Sequence, residues 1–361
     1  MQSDCNIKQL SRGQGPSVHR YYDVAIEEPD GDRIAYFEFD DEQIPGPGNL
    51  IVADGDGGNA REVARCDEGI GHVGGNGTWI GKGRLAFSPH QQSEAGAVVR
   101  DIDGDTGDIH LPADVRSFHE QSKLAILLGD SGYAQADRYA GRQMLRTWHA
   151  ETGDMRELLR ADQADALHPR KAEFEVEKTN FQNPKWSPDG KQFFVVFGTE
   201  VYRNSSGRRD YPSIKSLILG DADGRNIQFV GEFGHHPMWH PDGNGILAHT
   251  RRADGGQDLL LYPLDGNNPE VFMADLPGVH CTPDRGVQRL VTDVFDQEKQ
   301  RALVLLVSIP DGEQTILAEG RHKRFDHVTG SHPHPQWSRD ESRIFFNMAD
   351  SGVPQVYAAT L

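Results

Sequence analysis

Apolar residues in this chain fall into short runs, each preceded by a bulky residue and a turn cluster. The pattern recurs seven times. The clearest copies are Trp186-Ser-Pro-Asp-Gly190 before QFFVVF, Trp239-His-Pro-Asp-Gly243 before GILAHT, and Trp337-Ser-Arg-Asp340 before RIFFNM. Weaker copies start at Glu27, Trp79, Phe118 and Cys281, ahead of RIAYFEF, RLAF, KLAILL and QRLVTDVF. Spacings of roughly 40 to 70 residues between strand-length runs are the mark of β-propeller blades. A second run follows each of the first six in phase and closes on an acidic or glycine turn, as in LIVADGDGG, SLILGDADG and LVLLVSIPDG. Such turns between β-rich runs signal hairpins.

The seventh copy, PQVYAATL, runs to Leu361 with nothing after it to pair with. That blade lacks an outer strand, and the segment HRYYDVA (residues 19–25) is expected to supply one, closing the ring and removing a free edge. The pattern therefore predicts an all-β, seven-bladed β-propeller occupying residues 1–361 as a single domain, its last blade closed by an N-terminal strand. Forty Gly and 20 Pro suit so many turns. Radial repeats also let a chain of 361 residues grow without enlarging one core. No stretch carries a convincing helical period, and no apolar run approaches the ~20 residues of a membrane span.

The net charge of −18 argues against nucleic acid as a partner, because a phosphate-binding surface needs to be basic. Most acidic residues fall in hairpin turns and read as a solvated rim. An anionic substrate would then need local cations, from a metal or arginines, to overcome the overall field. Three cysteines, Cys5, Cys66 and Cys281, make no disulfide framework. The first 15 residues contain no apolar core, so no signal peptide is expected and the simple inference is a cytoplasmic protein. A periplasmic or secreted location remains the alternative if a leader has been removed. There is no Gly-x-Ser-x-Gly elbow, P-loop or dinucleotide fingerprint.

The loops entering each innermost strand ring one mouth of a propeller, so residues just before the anchors should converge. Three places upstream stand Asn76, Val115, Asn183, His236, Gly278 and His334, with His72, His235, His280 and His332 nearby. Six of the 16 histidines thus lie in these few positions, which concentrates candidate chemistry there. His332-x-His334 on an extended strand puts both rings on one face, and His280 from the preceding blade adds a third imidazole for a divalent metal. The bland alternative is a polar channel lining. Cys281 stands where other blades have Trp and reads as a small hydrophobe. A long connection in the fourth blade carries Tyr202, Arg203, Arg208 and Arg209. Arginine forks there suit carboxylates, and a tyrosine suits proton relay to a sugar oxygen. A solvated loop is the alternative. Asn183 and His235 complete the candidate substrate-binding set with Arg208 and Arg209.

Through GHHPMWHPDG, VHCTPD with VTDVF, and SHPHPQWSRDESRIFF followed by GVPQVY, the chain resembles the propeller polysaccharide lyases, the group of oligogalacturonate and ulvan lyases. That resemblance implies a seven-bladed propeller cleaving uronate-containing oligo- or polysaccharides by β-elimination, with oligogalacturonide ahead of ulvan as substrate. It implies manganese or zinc as cofactor, held by His280, His332 and His334. The glutamine of the manganese-binding pattern is replaced here by Thr329, and the histidine-arginine ending of the fourth blade's strand by VVFGTE. His72, Tyr202 and Arg203 are the nearest counterparts of the residues that act on the sugar. In the mechanism this implies, His236 takes the C5 proton and Tyr202 or a water protonates the departing O4. A rival reading is a non-catalytic, TolB-like propeller acting as a binding or interaction scaffold, since Trp-Ser-Pro-Asp-Gly repeats also occur there.

Overall fold

The computed structural model describes residues 5–90, 96–104, 106–129, 143–173, 175, 179–199, 214–296, 298–321, 332–349 and 352–361. The described residues form seven four-stranded antiparallel sheets, and the protein is a seven-bladed β-propeller. The first strands of the blades are, in order, Ser17–Val18, Thr78–Trp79, Asp114–His119, Thr179–Trp186, His235–Trp239, Cys281–Pro283 and Gln336–Trp337. The residues upstream of Trp186 and Trp239 therefore belong to strands rather than entry loops. The apolar run after each anchor is the blade's second strand, for example Gln192–Thr199 in the fourth.

By contact, the chain divides into two compact units. Residues 1–112 with 277–361 form the first, holding blades one, two, six and seven; residues 113–276 form the second, holding blades three to five. The second unit also contains a short helix of about two turns, Ala161–Leu167, which buries Ala161 and Ala164 and accepts the Arg160 N–H on the Gln163 side chain at 2.9 Å.

Period-2 alternation explains why the second strands are apolar throughout. Side chains of a strand point to opposite faces of its sheet, and here both faces are covered. Phe193, Val195 and Phe197 pack toward blade three with Trp186 and Ile218. Phe194, between them, packs toward blade five with Trp239 and Ile246. Blade seven repeats the arrangement: Phe345 faces blade one, while Ile344 and Phe346 face blade six. Each such phenylalanine contributes about 1.5–3 kcal/mol by leaving water.

Four of the anchors link their blade to the one before it. The indole N–H of Trp79 donates to the Ile26 carbonyl at 2.9 Å, that of Trp239 to Lys185 at 3.2 Å, and that of Trp337 to Thr282 at 2.9 Å. Blade one has Glu27 in this place, and its buried carboxylate accepts from Arg343 at 2.9 Å and the Arg339 N–H at 2.5 Å, both in blade seven. The turn after the anchor is held by its own side chains. Ser187 donates to Asp189 at 2.7 Å and accepts the Gln192 N–H at 3.0 Å, and Ser338, Asp340 and Arg343 repeat this.

An N-terminal strand does close the last blade, but it is Asn6–Gln9, paired with Gln355–Thr360. HRYYDVA is not that strand. The chain returns through Ser17–Val18 as the first strand of blade one, and residues 19–25 leave the sheet before Glu27 rejoins it opposite Ile34. The physical reason is burial: Asn6–Gln9 is exposed along its length and suits an outer edge, whereas His19, Arg20 and Tyr22 are buried.

Candidate metal centre

His280, His332 and His334 stand just before the first strands of blades six and seven, and His72 stands in the turn between blades one and two. All four are in the first unit and all are buried. One donor atom from each of His72, His332 and His334 lies within 4.8 Å of the others. The His280 ring centre is 4.5 Å from that of His334 and 5.4 Å from that of His332. Neither ring nitrogen of His334 has a hydrogen-bond partner among the described residues.

Asp293 organises this group. It lies fully buried in the second strand of blade six. Its carboxylate accepts the His280 N–H at 3.0 Å, the His280 Nδ1 at 2.8 Å and the His334 N–H at 3.3 Å. Burial alone works against the charged form, but His280 outweighs it and Asp293 stays below the usual carboxylate range. An ionised carboxylate only accepts, so Nδ1 of His280 carries its proton and Nε2 keeps a lone pair when the ring is neutral. Burial, then the neighbouring rings of His72 and His280, push the His334 imidazolium well below its ordinary range. The ring is therefore neutral at pH 7.

The segment expected to close blade seven packs on these rings instead. Tyr21 lies 4.9 Å from His334 and 5.1 Å from His72 between ring centres, and Tyr22 lies 5.1 Å from His280. Burial raises the Tyr22 phenol well above its usual value. His19 accepts at Nδ1 from the Gln336 amide at 3.1 Å, and burial lowers its pKa to about 4. Asn347 ties the two segments together, accepting the His19 N–H at 2.9 Å and donating to the His332 carbonyl at 3.0 Å. Arg20, also buried, donates to the Asn76 carbonyl at 3.1 Å. Sequence reasoning missed His19, Tyr21, Tyr22 and Asp293 as members of the site. An acid inside the apolar run RLVTDVF was the signal that would have found Asp293.

The second unit holds a separate histidine group. His235 and His236 open the first strand of blade five with their Nδ1 atoms 2.7 Å apart, and His249 stacks on His235 at 5.2 Å. The side chain of Gln257 pairs with His249 Nδ1 at 2.9 Å. His249 was not singled out from the sequence. Asn183 is half-buried in the first strand of blade four. Tyr202, Arg203, Arg208, Arg209 and Thr329 lie outside the described residues. Cys281 is buried, and none of Cys5, Cys66 and Cys281 is in a disulfide.

A seven-bladed propeller with a buried, carboxylate-braced cluster of imidazoles is thus the class of protein that fold and site define. No protein-family model matches the chain. An uncharacterized protein of Agrobacterium fabrum is 23% identical over 187 residues, which is 49% of this chain and 54% of that protein, so the chain spans about half the length of the curated relative it matches. Among solved structures, oligogalacturonate lyase from Vibrio parahaemolyticus superposes with a TM-score of 0.70 at 15% identity, covering 99% of this chain and 95% of that one. An oligogalacturonate lyase in complex with manganese gives a TM-score of 0.70 at 17% identity, covering 100% and 95%. At these identities the likeness is one of fold.

Proposed function

We propose that the protein is a carbon–oxygen lyase that cleaves uronate-containing oligo- or polysaccharides by β-elimination, with a divalent metal held by the histidine cluster of the first unit. The observation that carries this reading is the cluster itself. Buried polar atoms without partners are costly, and His334 leaves both ring nitrogens so placed among the described residues. Imidazoles braced by a buried carboxylate are donors that a divalent cation takes. The whole-length likeness in fold to two oligogalacturonate lyases is consistent with it.

A divalent cation bound there would neutralise the uronate carboxylate and stabilise the enolate-like charge that develops as C5 loses its proton. The C5–H bond breaks toward a base, the electron pair forms a C4–C5 double bond, and the C4–O4 bond breaks. His236 is assigned as the base. Its Nδ1 shares one proton with Nδ1 of His235, and whichever neutral ring carries that proton keeps an unprotonated Nε2. Tyr202 or a water returns a proton to O4, and Arg203, Arg208, Arg209, Asn183 and His235 are assigned to hold the substrate.

Oligogalacturonides or ulvan oligomers, incubated with the protein and Mn or Zn, should yield the ultraviolet absorbance of an unsaturated uronate. A panel of uronate glycans giving no such product would reject the lyase. A non-catalytic scaffold predicts that outcome together with a protein that takes up no metal.

A further inference from the structure

The donor atoms of the histidine cluster differ from what manganese prefers. We infer that His72, His280, His332 and His334 form one four-imidazole centre that selects a zinc-class divalent ion over manganese, with Asp293 positioning His280. This inference rests on the metal-binding part of the proposed function and goes on to name the full ligand set and the class of ion.

Two observations carry it. The first is distance. An imidazole nitrogen sits about 2.0–2.1 Å from zinc, which places ring centres ~3.2 Å from the ion and ~5.2 Å from one another in a tetrahedron. The six separations among these four rings run from 4.4 Å (His72 to His334) to 6.2 Å (His72 to His280). The other four, at 4.5, 4.8, 5.4 and 5.5 Å, straddle the expected value.

The second is chemistry. Every side chain in the cluster offers a borderline nitrogen donor. The carboxylate of Asp293 turns its oxygens to the His280 ring and to two backbone N–H groups. A carboxylate accepting the Nδ1–H from the far side is the outer support that fixes a metal-ligating histidine and raises its basicity. Imidazole sets suit zinc, copper, iron and nickel, whereas manganese favours carboxylate, carbonyl and water oxygens. His72 thereby becomes a ligand rather than a group acting on the sugar. Sequence spacing pointed only to His280 and His332-x-His334, because His72 arrives from two blades away around the ring's start.

The full-length protein, stripped with chelator, is titrated with Zn²⁺ and with Mn²⁺ by calorimetry and competition. Zinc should bind tighter by on the order of 100-fold or more. X-ray absorption on the zinc-loaded wild type should count four imidazoles, a readout that needs no variant. His72→Ala should weaken zinc at least ~10-fold, and Asp293→Asn by roughly 10- to 100-fold. Three imidazoles in the absorption data, a His72→Ala protein with unchanged zinc affinity, or manganese bound as tightly as zinc would each overturn the inference. A protein that binds neither ion removes it together with metal assistance. A four-imidazole zinc protein that forms no unsaturated product leaves it standing and removes only the lyase.

Discussion

Asn76, Asn183, His236 and His334 all adopt positive φ, at 57°, 46°, 54° and 46°. Each stands three residues before its blade's anchor tryptophan, and in blades four and five the ladder register shifts there. The left-handed conformation costs an L-residue about 1–2 kcal/mol, least for asparagine, so the position serves to aim a side chain out of the ladder. His236→Gly should therefore be as stable in urea as wild type or more so, and about 1 kcal/mol more stable than His236→Ala. Both should lose the elimination activity if His236 is the base; a His236→Gly protein with full activity would end that assignment. The positions were readable from the repeat, because the anchors index them. What they do with their backbone was not, since no pattern of residue types separates Asn183 and His236 from Val115 and Gly278 at the same offset.

The anchors and turns act at the level of the strand. Trp79→Phe keeps the ring in the core shared by blades one and two but removes the donation to Ile26, and should cost about 1 kcal/mol in urea unfolding. Trp79→Ala adds a cavity and should cost several times that. In the turns, donation from Lys191 and Ser187 holds the Asp189 carboxyl at about 2, and donation from Ser338 holds Asp340 at about 2 as well. A carboxylate with a lowered folded pKa lends its stability above the unfolded value near 3.8, and loses it as pH falls toward 2. Ser187→Ala and Ser338→Ala should thus lower the urea midpoint at pH 6, and the gap to wild type should narrow near pH 2.5. A constant gap across that range would deny the turn carboxylates any role. Blade number and strand order were legible because turn chemistry and anchor recur locally. The closing strand was misplaced because its pairing spans nearly the whole chain, and no local signal distinguishes NIKQ from HRYYDVA as an edge; only burial does.

At the scale of the molecule, one N-terminal stretch does two tasks within the first unit. Asn6–Gln9 covers the edge of blade seven, and residues 19–22 pack on the histidine cluster. A chain lacking residues 1–9 exposes the Gln355–Thr360 edge and should associate or aggregate more than wild type by light scattering. If it stays monomeric with an unchanged melting temperature, the strand is dispensable. The cluster was half legible from the sequence: His280, His332 and His334 were marked by the repeat, but Asp293, His19 and the two tyrosines needed the path of the chain. That path also orders events during synthesis. Asn6–Gln9 leaves the ribosome before every blade of the propeller, yet its partner Gln355–Thr360 follows the other six. At about 5–20 residues per second the opening strand waits for tens of seconds before anything exists for it to pair with. Asn347, which fastens His19 beside His332, is made equally late. Until Gln355–Thr360 and Asn347 are made, the cover on the edge of blade seven and the tie between His19 and His332 are therefore both missing.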